Sequence, residues 1–577
     1  MIISRASRPS TPLRAPRAAV EGRLPRLLAG AAALTGVAAW VVFFRAGLVL
    51  SHYDAKAHLV VARRVIDNLT PGWQQIGAVW LPLPHLIELL PTQIDLFYRT
   101  GAFASLVSIA CLATTTWAAA RLILRVTGSS LGAATCAALL VLNPNLLYLH
   151  TTPMTEPLLL AASMLAVLWL VEWVDEDRDT VPPKLAAVLF AAAWTRYEAW
   201  AVIGAALAAA EYAAWRRGPS TIARGPLSEV EGGADARTLI RRGWRLVIWP
   251  ASAVIVFLIN SRITVGAWLV SDGFYVPDPT YQHQPLRTLV AIWWGTHQLS
   301  GYVIEVVALT AALIIAVRAL MRRENSSMLV TLALFASATL PLLAFHQGHP
   351  YRIRYMIPVV AACALFCGLA VGLMSRTWKV RAARIQLGSR TLKVRAAHKG
   401  EGVGAASYSG FALAVILIGS TLVESPPWDM QAPMLLEAQW DRGASMGRRD
   451  VTACLARDYR GEKILASMGS LAHYMQELSG SGFAIADFVN EGNGVIWNMA
   501  LQTGPAPHAG WMLVEEVAEG GDVLAERVRR DPGFTRGMTR VCEGGGVALY
   551  KRDGMQNAKS KMQTLPTVQA LPGGSSK

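Results

Sequence analysis

Two acidic residues and a scattered set of arginines and histidines carry the chemical interest of this chain. Asp54 lies in Ser51-His-Tyr-Asp-Ala-Lys-Ala-His58, just beyond an apolar run from Leu27 to Leu50. Asp54 and His58 are four residues apart, so a helix would place them on one face, with Lys56 between them in sequence. Glu156 stands in Thr151-Thr-Pro-Met-Thr-Glu156-Pro, where the pattern predicts a first helical turn capped by Thr155. Arg196 and Glu198 share Trp194-Thr-Arg-Tyr-Glu-Ala-Trp200. His346, His349, Arg352, Arg354 and Tyr355 share Phe345-His-Gln-Gly-His-Pro-Tyr-Arg-Ile-Arg-Tyr355. A carboxylate can take the proton of an attacking hydroxyl, and guanidiniums can hold a departing phosphate. A free Asp carboxyl, with a pKa of about 3.9, is a weak base. Partial burial, or a second carboxylate such as Glu156, is expected to raise Asp54. Each motif also has a plainer reading: a dipole-complementing cap for Glu156, an ion pair closing a helix break for Arg196 and Glu198, and snorkelling anchors for the Arg352–Tyr355 segment.

The elements that must position these residues are membrane spans. The chain has 577 residues, 53% hydrophobic and 16% charged. Its apolar residues come in runs of about 20, enough to cross roughly 30 Å of hydrocarbon, and not in the short alternating segments of a barrel. Spans are predicted near 27–48, 101–121, 131–149, 156–174, 183–195, 199–215, 246–264, 300–318, 327–346, 354–374 and 407–423. The fifth and sixth read as a pair broken around Thr195-Arg-Tyr-Glu198. The net charge of +15 falls in loops at the N-terminus, 216–245, 318–326 and 375–406. That is the distribution of the positive-inside rule, which reports orientation and does not call for nucleic acid. With the first run as an uncleaved signal anchor and residues 1–26 as a basic cytoplasmic N-terminus, alternation puts these loops inside and the C-terminus outside. A near-repeat, Arg376–Ala383 and Arg390–Ala397, lies in the cytoplasmic loop.

On this threading Asp54, Glu156, Arg196 and Arg354 face one side. Residues 54–66 are expected to form a helix lying flat at the interface, with Ala55, Leu59, Val60, Val65 and Ile66 on its apolar side. The outer loop 270–298, carrying Asp272, Tyr275, Asp278, Tyr281, His283 and His297, reads as a lid or a connector. Cationic Arg352 and Arg354 on the outer side point to an anionic ligand. Residues 27–424 then form the transmembrane domain. Residues 425–554 form a small α/β domain outside, with strands at 463–468, 482–486, 511–514 and 546–550 and helices near 469–478, 494–502 and 521–529. Residues 555–577 are a polar tail expected to be disordered. Whether Cys454 and Cys542 pair stays open on sequence alone.

Outside the cytoplasm a group transfer has no nucleotide-sugar supply and needs a donor carried by a lipid. Tyr53-Asp54-Ala55, Pro-Met-Thr-Glu156-Pro, Thr-Arg-Tyr-Glu198 and Arg-Ile-Arg-Tyr355 make residues 27–424 resemble the GT-C superfamily of membrane glycosyltransferases, near the family 39 protein mannosyltransferases and the bacterial aminoarabinose and galacturonic-acid lipid A transferases. The resemblance implies a bacterial plasma-membrane enzyme of GT-C-like fold. It implies inverting transfer from a polyprenyl-phosphate sugar to a protein, lipid or glycan hydroxyl. Asp54 would be the catalytic acidic residue of the first outer loop, acting as base, and Glu156 a second acidic residue near the active site. Lys56, His58, Arg196, Glu198, His349, Arg352, Arg354 and Tyr355 are the candidate substrate-binding residues. Where many members carry paired acids, this chain has Asp54-Ala55 and no Asp-x-Asp, so no cofactor is called for, although Asp54, His58, Glu156 and His85 are ligand types for a divalent metal. The alternative from another class is a transporter or flippase of lipid-linked sugars, which would show repeats and midplane charges. No repeat between halves is visible. A sensor or scaffold acting through the C-terminal part is the third reading, and that part lacks a compact nucleophile–base or metal motif.

Overall fold

A computed structural model describes residues 15–178, 180–217, 236–270, 276–321, 324–390 and 404–555. Asp272, Tyr275, the second copy of the near-repeat from residue 391 onward and the tail beyond 555 lie outside these. The chain divides into two compact units. One holds residues to Ala62 together with Ile76–Trp440, and the other holds Arg63–Gln75 with the chain from Asp441.

The first unit is helical. All eleven predicted apolar runs fall in helices. Among the described residues, seven helices are long and apolar enough to cross a membrane: Gly22–Arg45, Ala102–Thr127, Glu156–Asp175, Arg242–Thr264, Tyr302–Leu320, Ser326–His346 and Ile353–Ser375. Ser130–Leu142, Pro183–Ala193 and Tyr408–Glu424 are shorter apolar helices. Helix Glu198–Arg217 fills the remaining run, with charged residues at both ends. The 131–149 run is not continuous. Pro144 cannot donate within a helix, and the Asn143 side chain accepts from the Asn145 and Leu146 amides, starting a new short helix, Pro144–Leu149. The run at 327–346 opens as a 3₁₀ helix, Ser326–Ala338, and ends as an α-helix, Thr339–His346.

Close backbone approach sets the packing. A Cβ on Gly132 would lie 2.5 Å from the Gly368 carbonyl oxygen, and one on Gly368 would lie 2.7 Å from Cys136 Cβ. Helices 130–142 and 357–390 therefore meet through small residues, as helices do where lipid offers no hydrophobic drive to association.

Helix Tyr53–Arg63 departs from its expected setting. Every residue from Asp54 to Ala62 is buried, so it does not lie along an interface with a wet face. Asp54 and His58 tolerate this because each has a polar partner inside the unit.

The second unit holds a five-stranded sheet. Its strands are β1 (Ile464–Ala466), β2 (Phe488–Val489), β3 (Trp511–Glu515), β4 (Met538–Gly544) and β5 (Val547–Arg552), in the order β2-β1-β3-β5-β4. β1 pairs parallel with β2 and β3, and β5 runs antiparallel to β3 and β4. Helices Met468–Leu478, Val495–Thr503 and Val523–Arg530 match the three predicted. Gly545 and Gly546, both at positive φ, make the two-residue turn of the β4–β5 hairpin. The expected strand at 482–486 is instead a 3₁₀ turn, Ile485–Asp487. The amides of Ile485 and Ala486 donate to the Asp67 carboxylate and not to a neighbouring strand. Asp487 and Glu491 serve the backbone as well: Asp487 accepts from the Ala484 amide at 2.9 Å, and Glu491 from the Met468 amide at 2.7 Å, at the start of helix Met468–Leu478. Cys454 and Cys542 form a disulfide joining helix Arg442–Asp458 to β4.

Candidate active site

Asp54 occupies the first turn of helix Tyr53–Arg63 and is 7% exposed. Its Oδ2 is ion-paired with Arg354 Nη2. Arg354 comes from the short 3₁₀ turn Ile353–Met356 that leads into helix Ile357–Arg390, and its guanidinium is shared. Arg354 Nε lies 4.0 Å from Glu156 Oε1 and 3.8 Å from Glu437 Oε1. Glu156 begins helix Glu156–Asp175 and is fully buried. Its Oε1 is 3.1 Å from Arg196 Nη1, while Arg196 Nη2 is 2.7 Å from Glu198 Oε1. The Trp194–Tyr197 turn between helices Pro183–Ala193 and Glu198–Arg217 supplies Arg196. The Arg196–Glu198 pair thus closes a helix break, and the same guanidinium also reaches Glu156.

Four buried carboxylates and two guanidiniums therefore meet in one place. Burying a charge without a partner costs several kcal/mol, so each carboxylate is held beside a cation. Thr155 does not cap the Glu156 helix. Its hydroxyl accepts from Arg196 Nη1 at 2.8 Å, which draws it into the charged cluster.

The other candidates flank this centre. His58 Nδ1 lies 3.0 Å from His85 Nε2, and both rings lie against Trp80. Burial first, then the His85 ring, pushes His58 well below the ordinary imidazole range, so it stays neutral at physiological pH. Lys56 is buried on the same helix. His349 Nε2 lies 3.2 Å from the Tyr355 hydroxyl, and the Arg354 guanidinium sits 5.4 Å from the Tyr355 ring centre. Half-buried Arg352 lies over the Trp440 ring and bonds to Tyr53.

The expected rise in Asp54's pKa is reversed. Burial pushes it up, but the Arg354 guanidinium outweighs burial and holds the carboxyl below the usual range. At rest Asp54 is a paired carboxylate and a poor base.

Sequence reasoning missed two groups here, His52 and Glu437. His52 Nε2 lies 3.6 Å from Glu437 Oε1. The signal for His52 was its place two residues before Asp54. For Glu437 it was a carboxylate inside the short apolar stretch Pro433-Met-Leu-Leu-Glu-Ala438. Among the described residues no three His, Cys, Asp or Glu side chains gather as metal ligands. The acids near Asp54 are paired with arginines instead.

No family model and no curated protein matches the chain. Among solved structures, ArnT from Cupriavidus metallidurans bound to undecaprenyl phosphate is similar at 13% identity and a TM-score of 0.48, over 90% of this chain and 98% of that one. The same protein in the apo state is similar at 14% identity and a TM-score of 0.48, over 89% and 98%. A likeness at that identity and score leaves the chemistry to this chain's own residues.

Proposed function

We propose that this protein is a membrane glycosyltransferase of the GT-C type. It moves a sugar from a polyprenyl-phosphate donor to an acceptor hydroxyl on the outer face of a bacterial plasma membrane. The observation that carries this reading is the buried meeting of Asp54, Glu156, Arg196 and Arg354, drawn from four separate stretches of chain. A transporter of lipid-linked sugars would also use buried paired charges, and the transfer assay below separates the two. The Cys454–Cys542 disulfide supports an outer placement of the second unit, because such bonds persist in oxidising compartments.

The resting pair defines how the reaction would start. Donor phosphate competes with Asp54 for Arg354, with Arg352 adding positive charge at the rim. Once Arg354 turns to phosphate, Asp54 remains buried but loses its largest counter-charge, so its proton affinity rises. Asp54 then takes the acceptor's hydroxyl proton. The acceptor oxygen bonds to the anomeric carbon as the bond to the phosphate oxygen breaks. The polyprenyl phosphate leaves as an anion held by arginine. A single displacement of this kind inverts the anomeric centre. Glu156 and Glu198 keep Arg196 in place behind Arg354.

Purified protein in lipid, given radiolabelled polyprenyl-phosphate hexoses and pentoses with membrane lipids and peptides as acceptors, tests this reading. Wild type should transfer label, and Asp54→Asn should lose about 10²-fold or more, the scale of a general base. Equal transfer by both removes Asp54 from the chemistry. Lipid scrambling without transfer by either protein favours the transporter.

A further inference from the structure

Glu437 lies on the helix Pro433–Ala438, after the last apolar helix and far in sequence from every other member of the cluster. That helix is anchored from within the same unit. Asn145 Oδ1 accepts from the Met434 amide at 2.9 Å, and Asn143 and Asn145 both donate to the Leu299 carbonyl. Glu437 is 3% exposed, and its two oxygens face different ways. Oε2 accepts from the Ile353 amide at 2.7 Å, one residue before Arg354. Oε1 faces His52 Nε2 at 3.6 Å and Arg354 Nε at 3.8 Å. On the far side of the His52 ring, Nδ1 accepts from the amide of Asp54 at 3.1 Å. An accepting Nδ1 carries no proton, so the ring proton is on Nε2, directed at Glu437.

We propose that Glu437 is the positioning residue of the site. Through His52 it fixes the backbone that presents Asp54, and through Ile353 it fixes the backbone that presents Arg354. One carboxylate thereby sets the register between base and guanidinium. The inference rests on the transfer reading for its kinetic consequence but not for its geometry. A carboxylate is needed, because one oxygen accepts from Ile353 while the other turns negative charge toward His52 and Arg354. A glutamine offers one acceptor and one amide donor, so it can serve Ile353 or His52 but not both. The third carboxylate at Arg354 would also be lost, which leaves that guanidinium freer to bind phosphate.

The test compares wild type, Glu437→Gln, Glu437→Asp, His52→Gln and the Glu437→Gln/His52→Gln double variant, all full-length in lipid. Solid-state NMR of ¹⁵N-histidine protein, with His52→Gln identifying the signal, should show His52 protonated on Nε2 in wild type and redistributed toward Nδ1 in Glu437→Gln. Turnover of Glu437→Gln should fall about tenfold or more at unchanged folded fraction, since small misplacements of reacting groups cost up to about 10²-fold. KM for the donor should stay level or fall. Glu437→Asp should recover part of the rate, and the double variant should be no slower than the slower single, as coupled residues behave. A wild-type His52 protonated on Nδ1, or a Glu437→Gln protein with wild-type tautomer and rate, overturns the proposal. Should wild type transfer no sugar from any donor, the transfer reading fails, and the tautomer result alone decides this one.

Discussion

At the scale of single residues, the cluster is governed by the Arg354 guanidinium, which three carboxylates share. Asp54 is depressed because Arg354 outweighs burial. The pair therefore contributes its stability fully above the ordinary carboxylate value of about 3.9, and loses it only as pH falls through the lower folded value. Arg354→Gln reverses the balance: burial remains, the counter-charge goes, and Asp54's folded pKa rises above its unfolded one. Asp54 then costs stability at neutral pH and ceases to do so when protonated. Thermal unfolding between pH 8 and pH 5 should show the variant less stable at pH 8 by about 3–5 kcal/mol, the scale of breaking a buried pair. The deficit should shrink as pH falls, and a deficit independent of pH would refute the assignment. The sequence made the partners visible as types: Asp54, Glu156, Arg196 and Arg354 stand out as polar groups beside apolar runs. It did not make their pairing visible, so Asp54's shift was expected in the wrong direction. Glu437 escaped notice because a lone carboxylate in a six-residue helix has no periodicity to betray it.

At the scale of elements, apolar run length located the helices, and chain chemistry located the breaks. Asn143-Pro144 splits one run, and Thr195–Tyr197 separates two others at the point where Arg196 is needed. β4 went unread because it is an edge strand of mostly exposed residues, Thr539, Arg540 and Glu543 among them, with no apolar run. The false strand at 482–486 has the composition of a strand, but its amides are satisfied by Asp67, a partner more than 400 residues away that local pattern cannot reveal. Helix packing offers a cleaner test of the fold than any site residue. Gly132→Ala places a methyl 2.5 Å from the Gly368 carbonyl oxygen, which is backbone and cannot rotate aside. Gly204, on exposed helix surface, has nothing within 4 Å of an added Cβ. Gly132→Ala should lower the midpoint of thermal unfolding by the equivalent of about 1–3 kcal/mol, as overpacking does. Gly204→Ala should be neutral or raise stability by up to about 1 kcal/mol from helix propensity. Equal behaviour of the two would mean that helices 130–142 and 357–390 do not meet through these glycines.

At the scale of the whole molecule, the reading depends on which side of the membrane each part faces. The basic loops gave an orientation from charge alone, and the disulfide offers a check that owes nothing to charge. Six cysteines are present, and four of them, Cys111, Cys136, Cys363 and Cys367, are buried and free within the helical unit. Only Cys454 and Cys542 are bonded, and both are partly exposed. In intact spheroplasts a membrane-impermeant maleimide of defined mass should leave the protein unlabelled. After a membrane-impermeant reductant, two labels per chain should appear, and Cys454→Ser should leave one label without any need for reduction. Removing the bond should also lower stability by about 2–5 kcal/mol, the range for a native disulfide in a small domain. Labelling that requires lysis would put the second unit in the cytoplasm. The alternation of spans would then invert, and Asp54 and Arg354 would open toward a compartment that already holds activated nucleotide sugars. A lipid-carried donor would lose its chemical rationale in that case, even with every distance in the cluster unchanged.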